Sequence, residues 1–155
     1  MHPNARRIET FYAAFARRDA AAMATCYMPD ATFADPVFSL RGPEIGAMWT
    51  MLCERGADLR IEARDIVADD RAGRAHWVAL YTFGATGRRV HNRIEATFAF
   101  AGDRFAVHKD QFDFWRWSRM ALGWKGTLLG ATPLVRNAVR AEARKKLDAW
   151  IAAKA

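Results

Sequence analysis

Cysteine is scarce in this chain: Cys26 and Cys53 are the only two among 155 residues. Neither has a second Cys or a His at metal-ligand spacing, which excludes a disulfide scaffold and the common zinc motifs. Free thiols inside helical patterns fit a reducing cytoplasm. There is also no run of about 18 uncharged apolar residues, so nothing reads as a membrane span. The N-terminal MHPNARRIETFYAAF forms an amphipathic pattern, and Glu9 interrupts it before a signal-peptide core could form. Internal repeats, low-complexity stretches and a phosphate-binding glycine loop are all lacking. A single cytoplasmic domain without metal or cofactor is the expectation, and its Ala- and Arg-rich composition suits a bacterial chain.

Acidic residues are scarce at one end only. Residues 1–115 hold 15 Lys/Arg and 15 Asp/Glu, whereas residues 116–155 hold nine against two, an excess that equals the whole net charge of +7. The body of the chain is neutral, and no basic stripe recurs along its strands, so nucleic acid is not an expected partner.

What is plentiful is apolar and aromatic: 52% of residues are hydrophobic and 12% aromatic, ample for a core. Ile8, Phe11, Tyr12 and Phe15 recur at helical spacing over 4–17. Asp19 can cap a second helix over 20–28, ended by Pro29-Asp30. The stretch ATFADPVF, residues 31–38, reads as a short strand broken at Pro36. Pro43 opens a helix running through Glu54, with Ile45, Met48, Trp49 and Leu52 as its stripe. The period then changes to two, and residues 59–68, 74–84, 89–101 and 104–115 read as long antiparallel strands. From Ser118 the pattern is helical again, and Thr132-Pro133 opens a last helix displaying Arg136, Arg140, Arg144, Lys145 and Lys146. Helices followed by a meander of strands imply an α+β fold.

Strand parity sorts the side chains. On 104–115, His108, Asp110, Phe112 and Phe114 share one face. Ile94, Ala96, Phe98 and Phe100 form the inner face of the preceding strand, with Arg93 and Glu95 outside. Trp77, Tyr81 and Phe83 line the inner face of 74–84. Asp35, His108 and Asp110 are thus the polar groups of an aromatic interior, the usual composition of a small-molecule site. A carboxylate desolvated by aromatics becomes a better base near neutral pH. The plainer alternatives are that Asp35 ends a strand by accepting a backbone N–H, and that His108 and Asp110 satisfy one another in the core. Tyr12 and Tyr27 read as core residues with a hydroxyl at the rim, and Asp113 as an anchor for the strand end.

The order of elements, with YAAFARRDAAAMATCYMPDATFADPV, GRRVHNRIEATFAFAGDRF and HKDQFDF, resembles the nuclear transport factor 2-like superfamily over roughly residues 5–117. Within it, the chain is similar to the ketosteroid isomerase, limonene epoxide hydrolase and polyketide cyclase branch. The resemblance implies a cone in which a curved sheet wraps helices around a deep apolar pocket, with Phe11, Tyr12, Trp49, Trp77, Tyr81, Phe83, Ala96, Phe98 and Phe112 against a compact hydrophobic ligand. It places Asp35 where ketosteroid isomerases keep their general base, and Asp110 where limonene epoxide hydrolase keeps a catalytic aspartate. It also implies a homodimer through the outer sheet face. The isomerases' oxyanion-hole tyrosine corresponds to Phe11, one residue from Tyr12, and their protonated aspartic acid to Ala96; loss of one such donor typically costs on the order of 100- to 1000-fold in rate. The Arg and second Asp of the epoxide hydrolase have no counterpart in HWVALYTF. Two readings stay open: an isomerase, cyclase or hydrolase using Asp35, with His108 and Asp110, for acid/base chemistry, or a non-catalytic binding or dimerisation module. Residues 118–155 form a basic helical extension, expected to cover the cone mouth or a dimer partner, with contact to a membrane surface as the lesser alternative.

Overall fold

A computed structural model describes the whole chain, residues 1–155. Helix α1 (Pro3–Ala16) starts at a proline, and the His2 ring accepts the Asn4 amide proton at 3.0 Å, satisfying one donor of the first turn. Its stripe of Ile8, Phe11, Tyr12 and Phe15 is buried throughout. Arg18 then turns the chain with φ at 62°, a left-handed conformation uncommon outside glycine. Its guanidinium offsets that cost by donating to the carbonyls of Cys53, Gly56, Ala57 and Leu59.

Asp19 caps α2 (Ala20–Ala24) as expected, accepting from Ala22 N at 3.0 Å. The helix ends four residues earlier than its spacing suggests. Residues from Tyr27 onward join β1 (Tyr27–Ala34), which pairs in parallel with β6 (Arg104–Gln111), the register shifting between Tyr27 and Thr32. Pro29 lies in that irregular stretch, where a missing N–H disrupts no ladder. The effect is to place Tyr27 on the inner face of the sheet instead of on the core face of a helix.

A hairpin through Asp35–Phe38 leads to β2 (Ser39–Arg41), and Pro43 opens α3 (Pro43–Arg55). Then follow β3 (Arg60–Ala68), β4 (Ala72–Phe83) and β5 (Arg88–Ala101). The turns before β5 and β6 use Gly87 and Gly102 at positive φ, which glycine adopts without strain. The sheet runs β2-β1-β6-β5-β4-β3, antiparallel except between β1 and β6. Helices α1 to α3 pack on its inner face, where Phe11, Phe33, Met48, Trp49, Trp77, Phe98 and Phe105 join one core. Arg93 and Glu95 stand exposed on the other face, as parity requires. The architecture is an α+β fold with a curled, unclosed mixed sheet.

The last strand stops at Gln111 rather than at 115. Alternation of Phe112 and Phe114 suits a strand, but the Asp113 carboxylate accepts from Arg116 N at 3.0 Å and starts α4 (Phe114–Leu122) instead. Helix α5 (Trp124–Leu129) and α6 (Pro133–Lys154) complete the chain. Thr132 does not cap α6: its hydroxyl bonds back to the Leu129 carbonyl at 2.5 Å. α6 lies across α3, burying Leu147 completely in the main core. Arg144 pairs with Glu44 and Asp148, Lys154 with Glu54, and Arg140 donates to the Pro36 carbonyl at 2.7 Å.

Candidate active site

The inner face of β6 carries His108 and Asp110, two residues apart and therefore on one side of the strand. His108 Nε2 lies 2.9 Å from Asp110 Oδ1, and Nδ1 lies 2.7 Å from the Tyr27 hydroxyl. Trp49 Nε1–H donates to that same hydroxyl at 3.0 Å, and Trp77 Nε1–H donates to Asp110 at 3.4 Å. The proton positions follow from the donors. Trp49 can only donate, so the Tyr27 oxygen accepts its proton and sends its own O–H to His108 Nδ1. A neutral ring then carries its proton on Nε2 and gives it to the carboxylate. A protonated ring would leave the Tyr27 O–H without an acceptor. His108 is 0% exposed and stacks on Phe98 with ring centroids 4.3 Å apart. Both ring nitrogens and the Tyr27 hydroxyl are therefore engaged, while both bonds to Asp110 fall on Oδ1 and leave Oδ2 without a protein partner.

Asp35 sits in a different environment, half-buried on the hairpin between β1 and β2. Its Oδ1 accepts from Val37 N at 2.7 Å and Phe38 N at 2.6 Å, closing an Asx turn around Pro36. Oδ2 has no protein partner. Burial pushes the Asp35 pKa up to about 6; the two backbone N–H groups oppose that rise and the Asp110 charge adds to it. The turn reading and the base reading are therefore both realised, one on each oxygen. Burial holds the hydroxyl of Tyr81 on β4 above the ordinary phenol range; the Trp117 hydrogen bond opposes that rise and the Asp35 charge adds to it. The same hydroxyl accepts from Trp117 Nε1 at 2.8 Å, and its own proton is free to be donated.

Tyr12 completes the polar set. The residue is 4% exposed, and its hydroxyl is a buried side-chain group with no partner at all. Burial, reinforced by the Asp110 charge, raises its pKa well above the usual value, so it stands as a protonated donor. The ring lies 5.9 Å from Trp77, whose indole N–H reaches Asp110.

Phe11, Tyr12, Trp49, Trp77, Ala96 and Phe98 all come together in the main core between the helices and the sheet. Phe11 is fully buried, edge-on to Tyr12, Tyr27, Trp49, Phe105 and His108. Tyr81, Phe83 and Phe112 stand at the boundary with a second small cluster of Val90, Phe114, Trp117 and Ala121, against which Val37 also packs. Helix α4 thus lies against the end of the cone that holds Asp35 and Tyr81. One surface depression, of about 470 Å³, is lined by Trp77 and Phe112 of this set together with Arg64, His76, Arg93 and Glu95, and another of about 410 Å³ lies near Arg18 and Arg89. No three metal-ligating side chains converge.

Two polar groups escaped the candidate set. Tyr27 reads as a core residue of a helix over 20–28 with its hydroxyl at the rim, whereas it opens β1 and its hydroxyl is buried against His108 and Trp49. Asn92 is 6% exposed on the inner face of β5, between Val90 and Ile94, and its side chain makes no hydrogen bond to the protein. The parity that found Ile94 and Ala96 would have found it two residues earlier.

A curled mixed sheet wrapped around helices, with an aromatic interior and a few inward polar groups, defines a class of small α+β domains. The match of residues 8–108 to the SnoaL-like domain model is specific: the chain belongs to that family. Similar solved structures include a polyketide cyclase-type protein of Xanthomonas campestris, at 18% identity and TM-score 0.63, covering 76% of this chain and 96% of that one. An LEH-like epoxide hydrolase of Mycobacterium tuberculosis matches at 20% identity and TM-score 0.61, covering 86% and 95%. A protein of Catenulispora acidiphila with a ketosteroid isomerase-like fold, in complex with trimethylamine, matches at 11% and 0.65, covering 74% and 91%. At these identities the likeness establishes the fold. No curated protein sequence matches the chain.

Proposed function

We propose that the protein is a cofactor-independent acid/base catalyst acting on a compact hydrophobic molecule, with Asp35 as the base. One observation carries this reading: Asp35 has one oxygen fixed by two backbone amides and the other unpartnered, with its pKa raised to about 6. Such a group is ionised at pH 7 yet basic enough to take a proton. Tyr12 and Tyr81 supply O–H donors for an oxygen on the ligand, and Asn92 an amide. Tyr12 thereby offers a donor one residue from where the related isomerases place theirs, although Phe11 and Ala96 hold the family's donor positions. His108 acts as a positioning residue rather than a catalytic one, because both ring nitrogens are engaged and no surface is open. It keeps Asp110 oriented, with Asp110 Oδ2 left for a ligand or a bound water.

Polyketide cyclase and epoxide hydrolase are the names borne by structural neighbours, and both chemistries move protons on small organic molecules. A second reading, non-catalytic binding, draws support from the filled interior around Phe11. Proton exchange separates the two without knowledge of the substrate. The full chain is incubated with a panel of compact hydrophobic ketones in heavy water, and deuterium uptake beside the carbonyl is followed by mass spectrometry. A parallel panel of epoxides is followed for 18O uptake. Catalytic uptake that Asp35→Asn removes is the expected result. Ligand binding with no exchange or ring opening in either panel would assign the site to binding alone. Dimerisation through the outer sheet face, around Arg93 and Glu95, belongs to the same proposal and is read by light scattering on a charge-reversed Arg93→Glu variant.

A further inference from the structure

Helix α5 is built inside out. Gly126 is its buried residue, Gly130 ends it one turn later and is buried too, and both press against Ser118 of α4, where an added Cβ would collide with backbone or hydroxyl. At 100° per residue, Trp124 lies about 160° around the helix from Gly126 and about 120° from Gly130, and Leu128 about 160° from both. Trp124 and Leu128 face water, 68% and 69% exposed. Leu129 and Leu134, 44% and 73% exposed, extend the apolar surface toward α6. A helix normally turns its large apolar side chains inward, so this reversal marks a contact surface.

The charge around it selects the partner. Arg119 lies 4.1 Å over the Trp115 ring, Lys125 lies 5.8 Å from Trp124, and Arg136 lies 5.2 Å over Phe114. None of these three cations pairs with a carboxylate, whereas Arg144 and Lys154 on the far part of α6 are tied to Glu44 and Glu54. Residues 116–155 also hold the entire net charge of the chain. A symmetric contact between two copies would set these cations against their own images, which repels. An anionic bilayer accepts both components, Trp and Leu among the headgroups and Lys and Arg at the phosphates. No helix is long and apolar enough to cross a membrane, so any contact by these helices lies in the interfacial plane. We infer that the α4–α5–α6 surface around Trp124, Leu128 and Leu134 docks the protein on anionic lipid bilayers.

Flotation of the full chain with vesicles tests this. Phosphatidylcholine vesicles with and without 30% phosphatidylglycerol are compared at roughly 50 and 500 mM salt, across which screening changes several-fold. The expected result is binding to the anionic vesicles at low salt, at least tenfold weaker at high salt or on pure phosphatidylcholine. Trp124→Ser with Leu128→Ser should lower anionic binding at least tenfold while leaving the melting temperature in place, since both side chains already face water. Lys125→Glu should weaken it through charge alone. Absence of flotation, equal binding to both vesicle types, or equal binding by the double variant would overturn the inference. So would a wild-type dimer that becomes monomeric in the double variant, because the surface would then belong to a second copy.

Discussion

Two carboxylates of the same interior have been given opposite environments. Asp110, at the deep end, is 6% exposed and bonded to His108, which is bonded to Tyr27, which is bonded to Trp49. Asp35, at the end covered by α4, is half-buried and bonded only to backbone amides of its own turn, and each carboxylate leaves its Oδ2 without a protein partner. A carboxylate tied into a chain of buried side chains specifies structure, and changing one member disturbs the others. A charge desolvated by its surroundings yet open on one side can exchange a proton with something that arrives. On the proposed function, the difference separates a group that holds the interior in register from the base that would act in it.

Breaking the deep end should have the larger effect on stability. His108→Phe fills the ring's volume but strips Asp110 of its main donor, leaving only Trp77 at 3.4 Å. Leaving a buried polar group without its partner costs about 1–3 kcal/mol, and more when the group is charged. Chemical denaturation should show a loss of that size, and the melting temperature should fall with it. A variant within about 1 kcal/mol of wild type would mean that Asp110 is protonated or hydrated and that the network is looser than its distances imply.

At the mouth, the same kind of change should spare stability and remove activity. Asp35→Asn keeps an oxygen for Val37 N and Phe38 N, so the turn survives, while the base is lost; general-base catalysis contributes about 100- to 10,000-fold. The sign of the pH effect follows from the raised pKa. The native carboxyl holds its proton up to about pH 6, whereas the unfolded one releases it near 3.8. The native state therefore binds more protons between those values, and stability falls as pH rises through the window. Allowing for partial exposure, the loss is on the order of 1–2 kcal/mol at pH 7. Stability measured from pH 4 to 7 should decline in the wild type and stay flatter in Asp35→Asn, while wild-type activity rises through about pH 6. A flat wild-type curve would place the Asp35 pKa near its ordinary value and remove the base.

Much of this contrast was legible in the sequence, and what was not has identifiable causes. Period-two alternation placed Asp110 and His108 on the face of Phe112, and the Asp-Pro-Val setting singled out Asp35, because both signals are local. Tyr27 was misread because MATCYM continues a helical pattern, and only pairing with β6, about 80 residues away, draws it into a strand. The end of β6 was misread for the opposite reason: Asp113 caps a helix locally, yet the alternating Phe112 and Phe114 suit a strand equally well. Position relative to the mouth could not be read at all. Asp35 and Tyr81 lie near α4 only because Phe114 and Trp117 pack on Val90, a contact between distant segments.

The smallest change distinguishes a site from a core most directly. Tyr12→Phe removes one hydroxyl that has no partner in the ligand-free protein. Holding a buried hydroxyl unpaired costs about 1–3 kcal/mol against an apolar replacement of the same shape. The variant should therefore melt at the same temperature or somewhat higher, without loss of packing against Trp77 and Phe98. If the hydroxyl serves a ligand oxygen, the same variant should bind any ligand found in the exchange panel several-fold more weakly. Greater stability with weaker binding is the signature of a group kept for function at the expense of the fold. Lower stability would instead mean that the hydroxyl already has a partner, such as an internal water linking it toward Asp110, and that the deep end has no vacancy for a substrate.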